Sequence, residues 1–200
     1  YTLSLHDALP ICTWASMRAK ECLRFLDKWA DEGLRGNRPE QSTSTIWWQI
    51  SQEIEASVFA GATLSGFVTD VCKCFNTLPR PVVFACALHY GLPKTFVKSW
   101  HDAVARIQRH FIVGGTCSGP NLACTGYPEG DPLSVVAMAL LNMAMHHIVA
   151  KQAMPSSIIS FVDNWECKST DVHATCRAYA AMECFATMVD IRLDHKKTHF

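Results

Sequence analysis

Two aspartates stand where carboxylates could do chemistry. Asp70 closes the apolar, β-branched run LSGFVTDV at 64–71, and Asp163 sits between apolar residues and Asn164 in ISFVDNWE at 159–166. An acid at a strand end is an ordinary cap or turn residue. Asp-Asn is equally ordinary hairpin chemistry, because both residues tolerate positive φ. The same pattern also describes a metal site that has lost one carboxylate, since Asn keeps an oxygen acceptor but gives up a negative charge. A third segment, GYPEGDPLS at 126–134, is a turn that feeds a helix, with Asp131 as N-cap and Pro132 at the first helical position. The ten cysteines form no C-x-x-C pair and no paired zinc spacing. Cys72 and Cys74 would share one face of a strand, as small buried hydrophobes.

The elements that must position these residues alternate between helical and extended patterns. Residues 15–32 have helical spacing, with Leu23, Leu26 and Ala30 on one stripe, and a polar connection follows at 33–41. Residues 42–45 offer N-caps for a helix over 45–60, which Gly61 stops. A buried strand is predicted at 64–71, helices at 81–90 and 95–108, and a strand with a turn at 109–116. A long helix over 132–152 is followed by hairpin arms at 158–162 and 166–169 around Asp163-Asn164, and by a helix over 170–189. This order predicts an α+β fold with a mainly antiparallel sheet.

Composition narrows the class of protein. Two hundred residues, 49% of them hydrophobic, fit one soluble domain with a real core. Eighteen basic and eighteen acidic residues cancel, so charge does not point to nucleic acid. The longest apolar run, 135–150, is interrupted by Asn142, His146 and His147 and is short for a membrane span, so no membrane is expected. With no signal peptide in view, reduced thiols in an intracellular protein, nuclear or cytoplasmic, are the expectation. Residues 1–11, YTLSLHDALPI, match the translation of a common short-read sequencing adapter, codon for codon, and no initiator Met precedes them. They are read as an artefact, and the chain as a fragment of something longer.

Taken in order, strand-Asp, G-x-P-x-G-D-P-L-S and aromatic-x-Asp at a hairpin resemble the reverse transcriptases, especially those of mobile elements without long terminal repeats. The resemblance runs from about residue 33 to residue 198. GYPEGDPLS is close to the family's G-x-P-Q-G-D-P-L-S, TDVCKCFNTLPR resembles its D-I-x-K-A-F-D block, and FVDN stands where the family has Y-x-D-D. LDHKKT is similar to the later lysine-bearing segment, and GNRPEQSTSTIWW to the fingers segment leading into the palm. The resemblance implies a palm-like antiparallel sheet packed on helices, with part of the fingers at 12–60, the palm at 61–200 and the thumb absent. It implies an RNA template, a DNA primer, deoxynucleotides and Mg²⁺ or Mn²⁺, with protein partners unspecified. In that family scheme Asp70 and Asp163 bind metal, helped by the carbonyl of Val71, because two-metal nucleotidyl transfer needs carboxylates around the reacting phosphate. Phe75 would lie under the incoming sugar and disfavour a ribose 2′-hydroxyl. Gly126, Pro128, Glu129 and Gly130 would approach the nucleotide and template, and Lys197 the leaving pyrophosphate.

Four departures accompany the resemblance. Asn164 replaces the second hairpin aspartate, Asn76 replaces the acid that often ends the first block, Glu129 stands where Gln is usual, and Phe161 replaces Tyr. The Asp-to-Asn exchanges fit either a subfamily or a decaying copy. Two further readings stay open from sequence: a palm-like domain kept for nucleic-acid binding without catalysis, and an unrelated Cys/His metal-binding domain.

Overall fold

The computed structural model describes residues 5–36, 38, 41–153 and 157–200, with side chains from Cys12 onward. Residues 1–4 of the adapter-like segment lie outside the described residues. So do Asn37, Pro39 and Glu40 of the fingers-like segment.

Seven helices and seven strands are described. Helix α1 spans Leu5–Leu26, beginning earlier and ending sooner than its apolar stripe predicts. Helix α2, Thr43–Ala60, starts at Ser42, whose hydroxyl accepts from the Thr45 amide, and ends at Gly61 in the left-handed conformation. Strand β1, Ser65–Asp70, leads into the short helix α3, Cys74–Thr77. Cys72 therefore lies beyond the strand and Cys74 begins a helix, so the two cysteines do not share a strand face. Helices α4, Arg80–His89, and α5, Lys94–Ala105, follow.

The single strand-and-turn expected at 109–116 is instead a ribbon of four two-residue strands. These are β2 Gln108–Arg109, β3 Ile112–Val113, β4 Thr116–Cys117 and β5 Asn121–Leu122. β3 pairs with β4 and β2 with β5, both antiparallel.

Helix α6, Pro132–Ala153, is the centre of the molecule. It is buried on nearly every side, as expected of a helix that is apolar all round. It is also long and apolar enough to cross a membrane by length and composition, unlike the shorter run read from sequence. Its burial among α1, α4, α7 and the sheet identifies it as a core helix. Strands β6, Ser157–Phe161, and β7, Asn164–Ser169, form the hairpin, and α7, Val172–Met188, is capped by Asp171.

The main sheet has the order β1-β7-β6 and is antiparallel throughout. The period-2 alternation sends Phe67, Trp165 and Cys167 toward the helices, where Phe67 stacks edge-on against Tyr179 at 5.1 Å. On the opposite face Lys168 reaches Glu53 of α2 at 2.6 Å. Neither outer strand has a bare edge. Val68 of β1 exchanges backbone hydrogen bonds with His199, and Ser160 of β6 with Gly33 and Arg35. The fold is thus α+β, with a small antiparallel sheet and packed helices.

Candidate active site

The register of β1 against β7 brings the two acidic segments together. Asp70 pairs directly with Asn164, and the Val71 amide donates to the Asp163 carbonyl at 2.9 Å. The 93 residues that separate the two aspartates in sequence (163 − 70) are thereby closed by one strand pairing. The turn falls one residue earlier than expected: its two residues are Val162 and Asp163, and Asn164 already belongs to β7. Val162 takes φ +56, unusual for a β-branched residue and costing about 1–3 kcal/mol. The ladder decides this. Keeping Asn164 opposite Asp70 and Trp165 in the core leaves Val162 to take the strained position.

Around the tip the charges interact. Burial, and then the Asp70 carboxylate, push the Asp163 carboxyl above the ordinary aspartate range. The Asp70 side chain is 13% exposed; its Oδ2 accepts from the Lys197 ammonium, which it holds above the usual lysine range. The other oxygen, Oδ1, is buried and has no hydrogen-bond partner among the described residues. A buried carboxylate oxygen without a donor, beside a second carboxyl, is the hard oxygen set that a divalent cation takes. The oxygens of Asp70 and Asp163 fit a divalent cation such as Mg²⁺ or Mn²⁺, which these two residues would hold. Among the described residues no three His, Cys, Asp or Glu side chains converge, and Asn164, next to Asp163, is exposed. Cys74 lies close enough to feel both aspartates, and burial with those charges raises its thiol to about 12. Such a thiol stays protonated in the metal-free protein.

The turn at 126–130 docks onto the segment after Asp70. The amides of Gly126 and Tyr127 donate to the carbonyls of Leu78 and Phe75, at 2.9 and 2.6 Å. Gly126, at φ +74, lies so close that a Cβ would stand 2.2 Å from the Asn76 carbonyl oxygen. Gly130, at φ +85, faces open space. Pro128 is half-buried and its carbonyl accepts from the Ser134 hydroxyl at 2.7 Å, while Asp131 caps α6 through the Leu133 amide at 3.0 Å. Exposed Glu129 accepts from Asn76 Nδ2 at 2.7 Å, so two of the departures from the family pattern meet in one hydrogen bond. Phe75 is half-buried against the core.

Two residues that hold the site were not singled out from sequence. Arg80 is buried and donates to the Gly126 and Ala123 carbonyls at 2.8 and 2.6 Å, fixing the turn from beneath. Asn142, read only as an interruption in an apolar run, donates to the Val162 carbonyl at 2.8 Å. A lone amide inside an apolar helix was the available signal.

No family model matches the chain, and no curated protein matches its sequence. Solved structures do match in fold. Telomerase from Candida tropicalis, in complex with a TWJ fragment of telomeric RNA, aligns at TM-score 0.70 and 10% identity, covering 94% of this chain and 33% of that one. Telomerase from Candida albicans with the same kind of RNA fragment aligns at 0.66 and 13% identity, covering 94% of this chain and 34% of that one. The chain thus spans about a third of the length of these structures. At such identity the likeness concerns the fold alone: this chain has the α+β fold of a telomerase segment.

Proposed function

We propose that this chain is the palm, with part of the fingers, of an RNA-directed DNA polymerase of the kind carried by mobile elements without long terminal repeats. The observation that carries the proposal is the pairing of Asp70 with Asn164, which sets the Asp70 and Asp163 carboxyls side by side. The fold likeness to telomerases supports a reverse-transcriptase-like framework, and the GYPEGDPLS motif favours the mobile-element branch. In this reading Asp70 and Asp163 hold the metals, assisted by the Val71 carbonyl. Bound Mg²⁺ would neutralise charge on the triphosphate and activate the primer 3′-hydroxyl. Lys197, poised on Asp70, balances the two carboxylates and stands ready for the leaving pyrophosphate. Phe75 selects deoxynucleotides, and the 126–130 turn supports the template and the nascent pair. The partners would be an RNA template, a DNA primer and dNTPs.

A second reading, a domain that binds nucleic acid without catalysis, draws on Asn164, which leaves two carboxylates where the family has three. Template-directed dNTP incorporation by a longer form of the protein separates the two. Incorporation under Mg²⁺ or Mn²⁺ that Asp163→Ala abolishes is the expected result. Incorporation that survives Asp163→Ala would remove the metal assignment, and none with the starting protein favours the second reading.

A further inference from the structure

We infer that Asn142 is a positioning residue for the metal-bearing turn: from inside α6 it fixes the backbone that presents Asp163 to Asp70. The inference rests on the polymerase reading above. Asn142 is 1% exposed in a helix whose neighbouring positions are almost all apolar. An amide in that setting is tolerated only when its polar atoms are hydrogen-bonded. Both ends are used. Oδ1 accepts from the Trp165 indole at 2.8 Å, and Nδ2 donates to the Val162 carbonyl at 2.8 Å. An indole N–H can only donate, so Trp165 dictates which end of the amide faces the turn.

The consequence for Asp163 is geometric. The bond from Asn142 fixes the peptide plane before Asp163, and the bond from the Val71 amide fixes the plane after it. With both flanking planes held, the Cα–Cβ direction of Asp163 is set and only its side-chain torsions remain. Val162 at φ +56 is the conformation that such a clamp must hold against the residue's own preference. Leu at position 142 would fill similar space while removing the clamp.

The test uses this chain and needs no turnover. Hydrogen exchange of the Val71 amide reports the turn, and Mn²⁺ affinity by electron paramagnetic resonance reports the site. Asn142→Leu is expected to speed Val71 exchange about tenfold relative to the amides of β1. It should also weaken Mn²⁺ binding about tenfold, the lower end of what losing the support behind a ligand costs. Met145→Ala, a cavity at a fully buried α6 position, controls for general loosening. It should leave the relative Val71 rate and the Mn²⁺ affinity unchanged. Unchanged exchange and affinity in Asn142→Leu, or equal changes in Met145→Ala, would overturn the inference. Asp163→Asn distinguishes the underlying reading: if Mn²⁺ binding survives it, the metal assignment fails and the positioning role falls with it, whatever Val71 reports about the turn.

Discussion

Asp163 carries a cost that pH should expose. Burial and the neighbouring Asp70 hold its carboxyl above the ordinary aspartate range. A raised carboxyl pKa stabilises the fold through its protonated form, fully below the ordinary aspartate pKa, and that contribution is lost as pH rises through the folded-state value. At neutral pH the ionised group therefore works against folding. Asp163→Asn should raise Tm at pH 7, and the gain should vanish below about pH 4; a melting series across that range that shows no difference at pH 7 refutes the point. Asn76 and Glu129 make a second case. Sequence presents them as two separate losses, an acid turned amide and an amide turned acid, yet they form one hydrogen bond with donor and acceptor exchanged. Compensation of this kind is more natural in a maintained protein than in a decaying one. Asn76→Asp sets two carboxylates face to face, and adding Glu129→Gln restores the pair in reversed polarity. Urea denaturation of the four combinations should give a coupling of about 1 kcal/mol, and strict additivity would disprove it. The aspartates were legible because their motifs occur in a fixed order. Asn142 and Arg80 were not, because their partners lie 20 and 46 residues away and only packing brings them together.

At the scale of elements, the docked turn and the hairpin differ in how far local rules reached. Gly126 meets two constraints, a left-handed φ and a backbone neighbour, whereas Gly130 meets only the first. Gly126→Ala should cost about 3 kcal/mol or more, and Gly130→Ala about 1 kcal/mol. Chemical denaturation ranks them, and equal costs would mean that the close approach to Asn76 carries no energy. The hairpin itself is legible in sequence, but its turn lies one residue earlier than the local Asp-Asn preference places it. Asp-Asn favours the turn locally, while the ladder with β1 and the burial of Trp165 demand Val162-Asp163, and the tertiary terms win. Only the first half of the 108–122 ribbon is legible in sequence, because its two-residue strands are too short for any alternation to register.

Across the whole molecule, α+β order was readable from the alternation of apolar patterns, and α6 from its capped start and length. The faces of α2 were not readable: Trp47, Trp48, Val58 and Phe59 point outward, Phe59 with 90% of its surface exposed, while only Ile46 is buried. Composition could not signal this, since exposed and buried tryptophans count alike. The edges of the sheet lead elsewhere. A three-stranded sheet with bare outer strands is a template onto which another chain can add its own strand, and that is how many proteins begin to aggregate. Here His199 occupies the hydrogen-bonding groups of Val68, and the Gly33–Arg35 segment those of Ser160. A chain ending at Lys197 keeps the lysine that reaches Asp70 but uncovers Val68. It should self-associate with rising concentration in sedimentation velocity, where the full chain does not; identical profiles would refute this. Residues 198–200 would then shield this edge, keeping one copy of the protein from being stitched to the next.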